Sequence, residues 1–210
     1  MAQTPSTMIA LGTKAPEFTL PDTVSGKMIS LAPALMGEKD SNITPFRVGA
    51  NANATVIMFI CNHCPFVIHV NKELVKLAND YIPKRISFIA ISSNDVVNFP
   101  EDSPEKMKIT AKELGYPFPY LYDESQNVAR AYDAACTPDF FIYDKELKLV
   151  YRGQLDDSRP SNGIAVTGKD IRAALDCLLS GKPVSSEQKP SIGCNIKWKA
   201  PLSTSPRRGE

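Results

Sequence analysis

Long apolar runs are missing from the 210 residues, and so is any dense run of lysine and arginine. The first absence excludes a membrane-spanning helix, which needs about 20 consecutive, predominantly apolar residues. The second, with a formal net charge of +1, argues against nucleic acid or a membrane surface as the main partner. Residues 1–11 carry no basic segment followed by an apolar stretch of signal-peptide length, so the expectation is a cytoplasmic protein. No internal repeat is present. Cysteine is sparse and odd in number: five, at 61, 64, 136, 177 and 194. Their spacing suits neither a disulfide framework nor a zinc site made of two Cys-x-x-Cys pairs, and in a reducing compartment they should rest as thiols. What remains is an ordinary globular composition, 43% hydrophobic and 22% charged, in a chain of one domain's length.

The chain divides into a flexible leader at 1–11, a body at 12–181 and a tail at 182–210 rich in proline, serine and charge. Two short extended pieces at 17–22 and 27–31, around Ser25-Gly26, predict an N-terminal hairpin; 36–53, without periodicity, predicts an inserted surface loop. Residues 54–60 and 86–92 are continuous β-branched, apolar runs, the pattern of strands covered on both faces. Between them Phe66, Val67, Val70, Leu74, Leu77 and Ala78 recur at helical spacing. Strand, helix and strand then imply a parallel pair with a right-handed crossover. Ser103-Pro104-Glu105 opens a second helix, which Gly115 ends. A short strand at 120–122, a short helix at 125–132, a hairpin at 139–143 and 147–152 and a last helix at 167–179 complete the body. In the tail, 191–198 hold the only tryptophan, Trp198, in an apolar patch that should dock on the body.

The chemistry concentrates in Cys61-Asn62-His63-Cys64-Pro65, between the first buried strand and its helix. A helix N-terminus offers unpaired amides and a positive dipole end, so a sulfur there is stabilised as thiolate, and Cys61 is the expected beneficiary. A disulfide closing so short a loop stabilises by only about 2 kcal/mol, against ~3 kcal/mol for a 15-residue loop, which makes stability a poor reason for the pair. Reversible dithiol chemistry is a better one: Cys61 attacks a disulfide and Cys64, one helical turn on, resolves the mixed disulfide. His63 should lower the Cys61 pKa by a hydrogen bond or positive charge and make the disulfide more oxidising than thioredoxin's about −270 mV. A zinc half-site using His63 or His69 is the weaker alternative, because no second cysteine pair completes four ligands.

Cys61-x-x-Cys64-Pro65 after Val56-Ile57-Met58-Phe59-Ile60, followed later by Thr137-Pro138 before Phe140-Phe141-Ile142-Tyr143, resembles the thioredoxin superfamily. Gly12-Thr13-Lys14-Ala15-Pro16-Glu17-Phe18 is similar to its redoxin branch, the AhpC/TSA-like, peroxiredoxin-like and cytochrome-maturation-type thioredoxins. The resemblance covers roughly 12–181. It implies an α/β, thioredoxin-like fold with a central mixed sheet, flanking helices, the N-terminal hairpin and a C-terminal extension. It implies catalysis by Cys61 and Cys64, modulated by His63, Pro65, Thr137 and Pro138, with no organic cofactor or metal, exchanging with protein or small-molecule disulfides and an electron donor. Pro138 should be the cis-proline facing the disulfide, holding an open backbone edge for a substrate strand.

The chain also departs from that pattern. Ile60 stands where an aromatic residue is usual, and no carboxylate in 54–60 is available to take the Cys64 proton. In peroxiredoxins a Thr-x-x-Cys puts the peroxide-reacting thiol where Cys64 stands; here Cys61 replaces the threonine, leaving thiol peroxidase as the second reading. Cys136 and Cys194 are candidate accessory thiols; a small residue in a tight turn is the plainer account of the first, whereas for the second a resolving or substrate-mimicking thiol and a simple docking segment stand level. Cys177 reads as core packing, His69 as a partly buried helix residue, and Arg152 as a solvated strand-end arginine or a steadying charge for an anion.

Overall fold

A computed structural model of the chain describes residues 3–31, 46–47 and 52–200, with 46–47 described by backbone path. The expected loop at 36–53 therefore lies outside the described residues except for 46–47 and 52–53. Strands β1 to β11 span Thr4–Pro5, Phe18–Pro21, Met28–Leu31, Phe46–Arg47, Ala54–Phe59, Ile86–Ser92, Tyr120–Tyr122, Cys136–Thr137, Asp139–Asp144, Leu149–Gly153 and Ile192–Asn195. Helices α1 to α4 span Pro65–Tyr81, Pro104–Leu114, Asn127–Ala131 and Lys169–Leu179.

The central sheet has the order β10-β9-β5-β6-β7. β5, β6 and β7 run parallel, and β9 runs antiparallel to both its neighbours, β5 and β10, so the sheet is mixed. All six residues of β5 are buried because both faces are covered. Side chains alternate along a strand. Ala54, Val56 and Met58 thus join a cluster with Val67, Leu74 and Leu77 of α1, Met107 of α2 and Ile171 and Leu175 of α4. Ile57 and Phe59 join the opposite cluster with Phe18 and Leu31 of the β2/β3 hairpin and Tyr132 beyond α3.

Local sequence explains where α1 sits. Pro65 occupies its first position, and extended Cys64 (φ −70°, ψ 121°) is its N-cap. At the far end Pro83 lies in the 3₁₀ turn Ile82–Lys84, where the helix has stopped. Ser103 caps α2, accepting from the Lys106 amide, and Gly115 ends it in the left-handed region at φ 67°.

A second sheet is small and assembled from distant parts, in the order β1-β11-β8. Residues 4–5 form a strand antiparallel to β11, and the Ser6 amide donates to the Ser191 carbonyl at 2.8 Å. This part of the expected flexible leader is therefore ordered, because the tail gives its backbone groups a partner. β11 pairs on its other edge with β8, Cys194 opposite Thr137 and Asn195 opposite Cys136. Among the described residues no helix is long and apolar enough to cross a membrane.

Candidate active site

The C-terminal end of β5 and the N-terminus of α1 hold the loop 61–64 against β8 and the residue after it. Cys61 and Cys64 are 2% and 0% exposed. The Thr137–Pro138 peptide is cis. Thr137 meets both sulfurs: its hydroxyl is 3.4 Å from Cys61 Sγ, and its carbonyl is 3.1 Å from Cys64 Sγ, where it accepts from the thiol form. Cys61, His63, Cys64, Pro65, Thr137 and Pro138 thus come together.

The distribution of charge differs from the expectation. Because Pro65 is the first helical residue, the free helix end falls at Cys64, not Cys61. Side-chain hydrogen bonding from Cys61, reinforced by Thr137 and Cys194, outweighs burial and brings the Cys64 pKa down to about 4. Cys61 moves the other way: its bond to Cys64, burial and the Asp102 charge push its thiol well above the ordinary value. The two thiols titrate as a pair, and the free helix end favours charge on Cys64.

His63 likewise serves a different partner. Its ring stacks on Phe99, centroids 5.6 Å apart, and its Nδ1 stands 2.7 Å from Asp102 Oδ2, an ion pair lying off the line of a straight hydrogen bond. The Asp102 carboxylate holds His63 above the ordinary histidine pKa, and the Cys64 charge adds to the shift. The expected lowering of the Cys61 pKa by His63 is therefore not what this geometry produces; the histidine charge supports Cys64.

Asp102 is the residue that sequence reasoning missed. It is fully buried in the turn before α2. Its Oδ1 accepts from the Asn62 amide at 2.7 Å and its Oδ2 from Asn94 Nδ2 at 2.7 Å. Burial alone would raise this carboxyl; the paired His63 and the bonds from Asn94 and the Asn62 amide more than offset it and hold it below the usual range. The buried carboxylate absent from 54–60 thus enters from another segment, bracing the loop rather than contacting Cys64. Asn94 links it onward, since Asn94 Oδ1 accepts from the Lys197 amide at 2.8 Å.

The remaining candidates separate. Cys194 joins the site, opposite Thr137 and in the buried cluster that holds Cys61 and Cys64. Cys136 is a buried strand residue rather than a turn residue; its thiol donates to the Pro138 carbonyl at 3.5 Å and burial raises its pKa. His69 pairs with Ser158 Oγ at 2.7 Å, away from the sulfurs. Cys177 is half-buried on α4. Arg152 is neither solvated nor near a thiolate: it is fully buried, 3.1 Å from Asp139 and stacked over Phe141. Among the described residues one trio could hold a metal ion, Cys61, His63 and Asp102, with ligand atoms within 4.8 Å of one another. Binding there would have to replace the His63–Asp102 pair.

The edge beside Pro138 is also not open. β11 covers β8, and Ser191 Oγ donates to the Pro138 carbonyl at 2.6 Å. The open substrate edge implied by the thioredoxin resemblance is filled by the chain's own tail.

Residues 11–152 match the AhpC/TSA family. The chain belongs to that family. This AhpC/TSA protein is similar to an uncharacterized conserved protein from Geobacillus kaustophilus, at 62% identity over 95% of this chain and 97% of the other, TM-score 0.85. A hypothetical protein from Sinorhizobium meliloti 1021 is 48% identical over 94% and 100% of the two chains, also at TM-score 0.85. The thioredoxin domain of a thiol-disulfide oxidoreductase from Bacteroides vulgatus shares the fold, at 19% identity over 72% and 91% and TM-score 0.53. No curated protein matches the chain. The AhpC/TSA protein therefore has a thioredoxin-like fold.

Proposed function

We propose that this protein is a thiol–disulfide oxidoreductase, working in the cytoplasm, that exchanges its Cys61/Cys64 dithiol and disulfide with protein or small-molecule disulfides. The observation that carries the reading is geometric: two buried cysteines one helical turn apart, both meeting Thr137 beside the cis Pro138. As a substrate disulfide approaches, the Cys61 proton passes to Cys64, where the Thr137 carbonyl accepts its hydrogen bond. The Cys61 sulfur then attacks one substrate sulfur, the substrate S–S bond breaks, and the departing thiolate takes the proton from Cys64. Cys64 is again a thiolate and attacks Cys61 Sγ. The Cys61–Cys64 bond forms and the second substrate sulfur leaves with the electron pair. The proton acceptor that the preceding strand lacks is, on this reading, Cys64 itself.

A low-pKa Cys64 at a helix start also favours a second reading, a thiol peroxidase in which Cys64 attacks a peroxide oxygen. The two separate by substitution. With dithiothreitol as reductant, insulin reduction slowed most by Cys61→Ser supports the oxidoreductase. Hydrogen peroxide consumption that survives Cys61→Ser and is lost with Cys64→Ser supports the peroxidase and contradicts the proposal.

A further inference from the structure

Cys194 has no task in the exchange just described, yet the fold goes to some length to place it. Residues directly opposite across an antiparallel pair turn their side chains to the same face. Cys194 is opposite Thr137, whose hydroxyl faces Cys61, so the Cys194 thiol enters on the sulfur side, while Cys136 and Asn195 face away. There it is buried in the same cluster as Cys61 and Cys64.

The strand that carries it is closely fitted. A Cβ on Gly193 would stand 2.0 Å from the Thr137 carbonyl oxygen, so only glycine lets β11 approach so near. Ser191 binds Pro138 on one side of Cys194. On the other, the Ile196 amide donates to Ala135, Lys197 to Asn94 and Lys199 to Gln126. β1 closes the far edge of β11.

We propose that β11 is a built-in substrate strand and Cys194 a third redox cysteine, which receives the disulfide from Cys61–Cys64 as a Cys64–Cys194 bond. The inference rests on the reading that Cys61 and Cys64 form a disulfide. In the step, the deprotonated Cys194 sulfur attacks Cys64 Sγ. The Cys64–Cys194 bond forms, the Cys61–Cys64 bond breaks, and Cys61 leaves as a thiolate that takes up the Cys194 proton. One disulfide is consumed and one is made, so no outside oxidant or reductant enters.

The same geometry times the step. In the reduced protein, burial and then the Cys64 thiolate hold the Cys194 proton, at a pKa of about 12. Once Cys64 is in a disulfide, its negative charge and its demand for a donor are gone, and only burial still holds that proton. The Cys194 proton is thereby held less tightly once Cys64 is oxidised, with burial still the main restraint on it. Cys61 is returned as a free thiol without loss of the stored oxidation.

The test uses the full chain, reduced and then exposed to glutathione disulfide, with disulfides mapped by mass spectrometry of unreduced peptides. Wild type is expected to give a Cys64–Cys194 peptide alongside Cys61–Cys64. Cys61→Ser is expected to give Cys64–Cys194 as its main product, and adding Cys194→Ser should convert this to a Cys64–glutathione mixed disulfide. Cys61→Ser that accumulates Cys64–glutathione with Cys194 still a thiol, together with wild type giving Cys61–Cys64 alone, overturns this inference and leaves the dithiol reading intact. Wild type with no Cys61–Cys64 bond overturns both. Because the wild-type map needs no substitution, the answer does not depend on the variants folding.

Discussion

Two sheets meet at the sulfurs, and they are built on different scales. The central sheet runs strands of six or seven residues through its middle, buried on both faces and covered by α1, α2 and α4 on one side. The small sheet joins two residues near the N-terminus, two at Cys136–Thr137 and four from the tail. The first fixes where Cys61 and Cys64 are. The second decides what reaches them, and with far less buried apolar surface it is the part that can open at modest cost. Stability and access are thus carried by separate pieces of the chain, tied together where Lys197, Asn94 and Asp102 connect the tail to the loop 61–64.

The comparison can be broken at several points. The largest effect is expected where the sheets meet: Cys61→Ser should lower dithiol exchange at least about a hundredfold, more than Cys64→Ser does, with the central fold retained, in an insulin-reduction assay. Next, Gly193→Val puts side-chain atoms into the Thr137 carbonyl. We expect a loss of about 1 to 3 kcal/mol in denaturant unfolding. The reduced, native variant should also expose Cys194 to alkylation. Unchanged protection of Cys194 would contradict the division between frame and cover.

Asp102→Asn sharpens the link between them. In the wild type, Asp102 is held below its ordinary range, so its stabilisation is present above the unfolded carboxyl value of about 4 and lost as pH falls through the folded value. His63 is raised, so its contribution is present below about 6.5 and lost as pH rises through the folded value. Stability plotted against pH should therefore peak between those limits in the wild type and flatten in Asp102→Asn. The smallest effect belongs to the frame's periphery: Ser103→Ala removes a long, 3.5 Å cap on α2 and should cost about 0.5 to 1 kcal/mol with no change in thiol reactivity.

The same contrast explains what could be read from the chain alone. β5, α1 and β6 each carry their own signal, a buried apolar run or a helical stripe, and appear at 54–59, 65–81 and 86–92. A two-residue strand has no periodicity, so the order of residues 4–5 and the pairing of β11 with β8 depended on partners more than 50 positions away. Asp102 was illegible for a like reason: its partners, Asn62, His63 and Asn94, form no motif with it in sequence. The motif itself did announce two cysteines and a helix start. That the free helix end falls at Cys64 and not Cys61 turned on Pro65 taking the first helical position.

The most direct test of the account is a redox titration of the wild-type pair, reading the Cys61–Cys64 peptide against its alkylated, reduced form. A reduced state stabilised by the Cys64 thiolate makes the disulfide the stronger oxidant. We expect a single two-electron transition at a potential above about −270 mV, thioredoxin's value. A transition at or below that value, or none between Cys61 and Cys64, would contradict it.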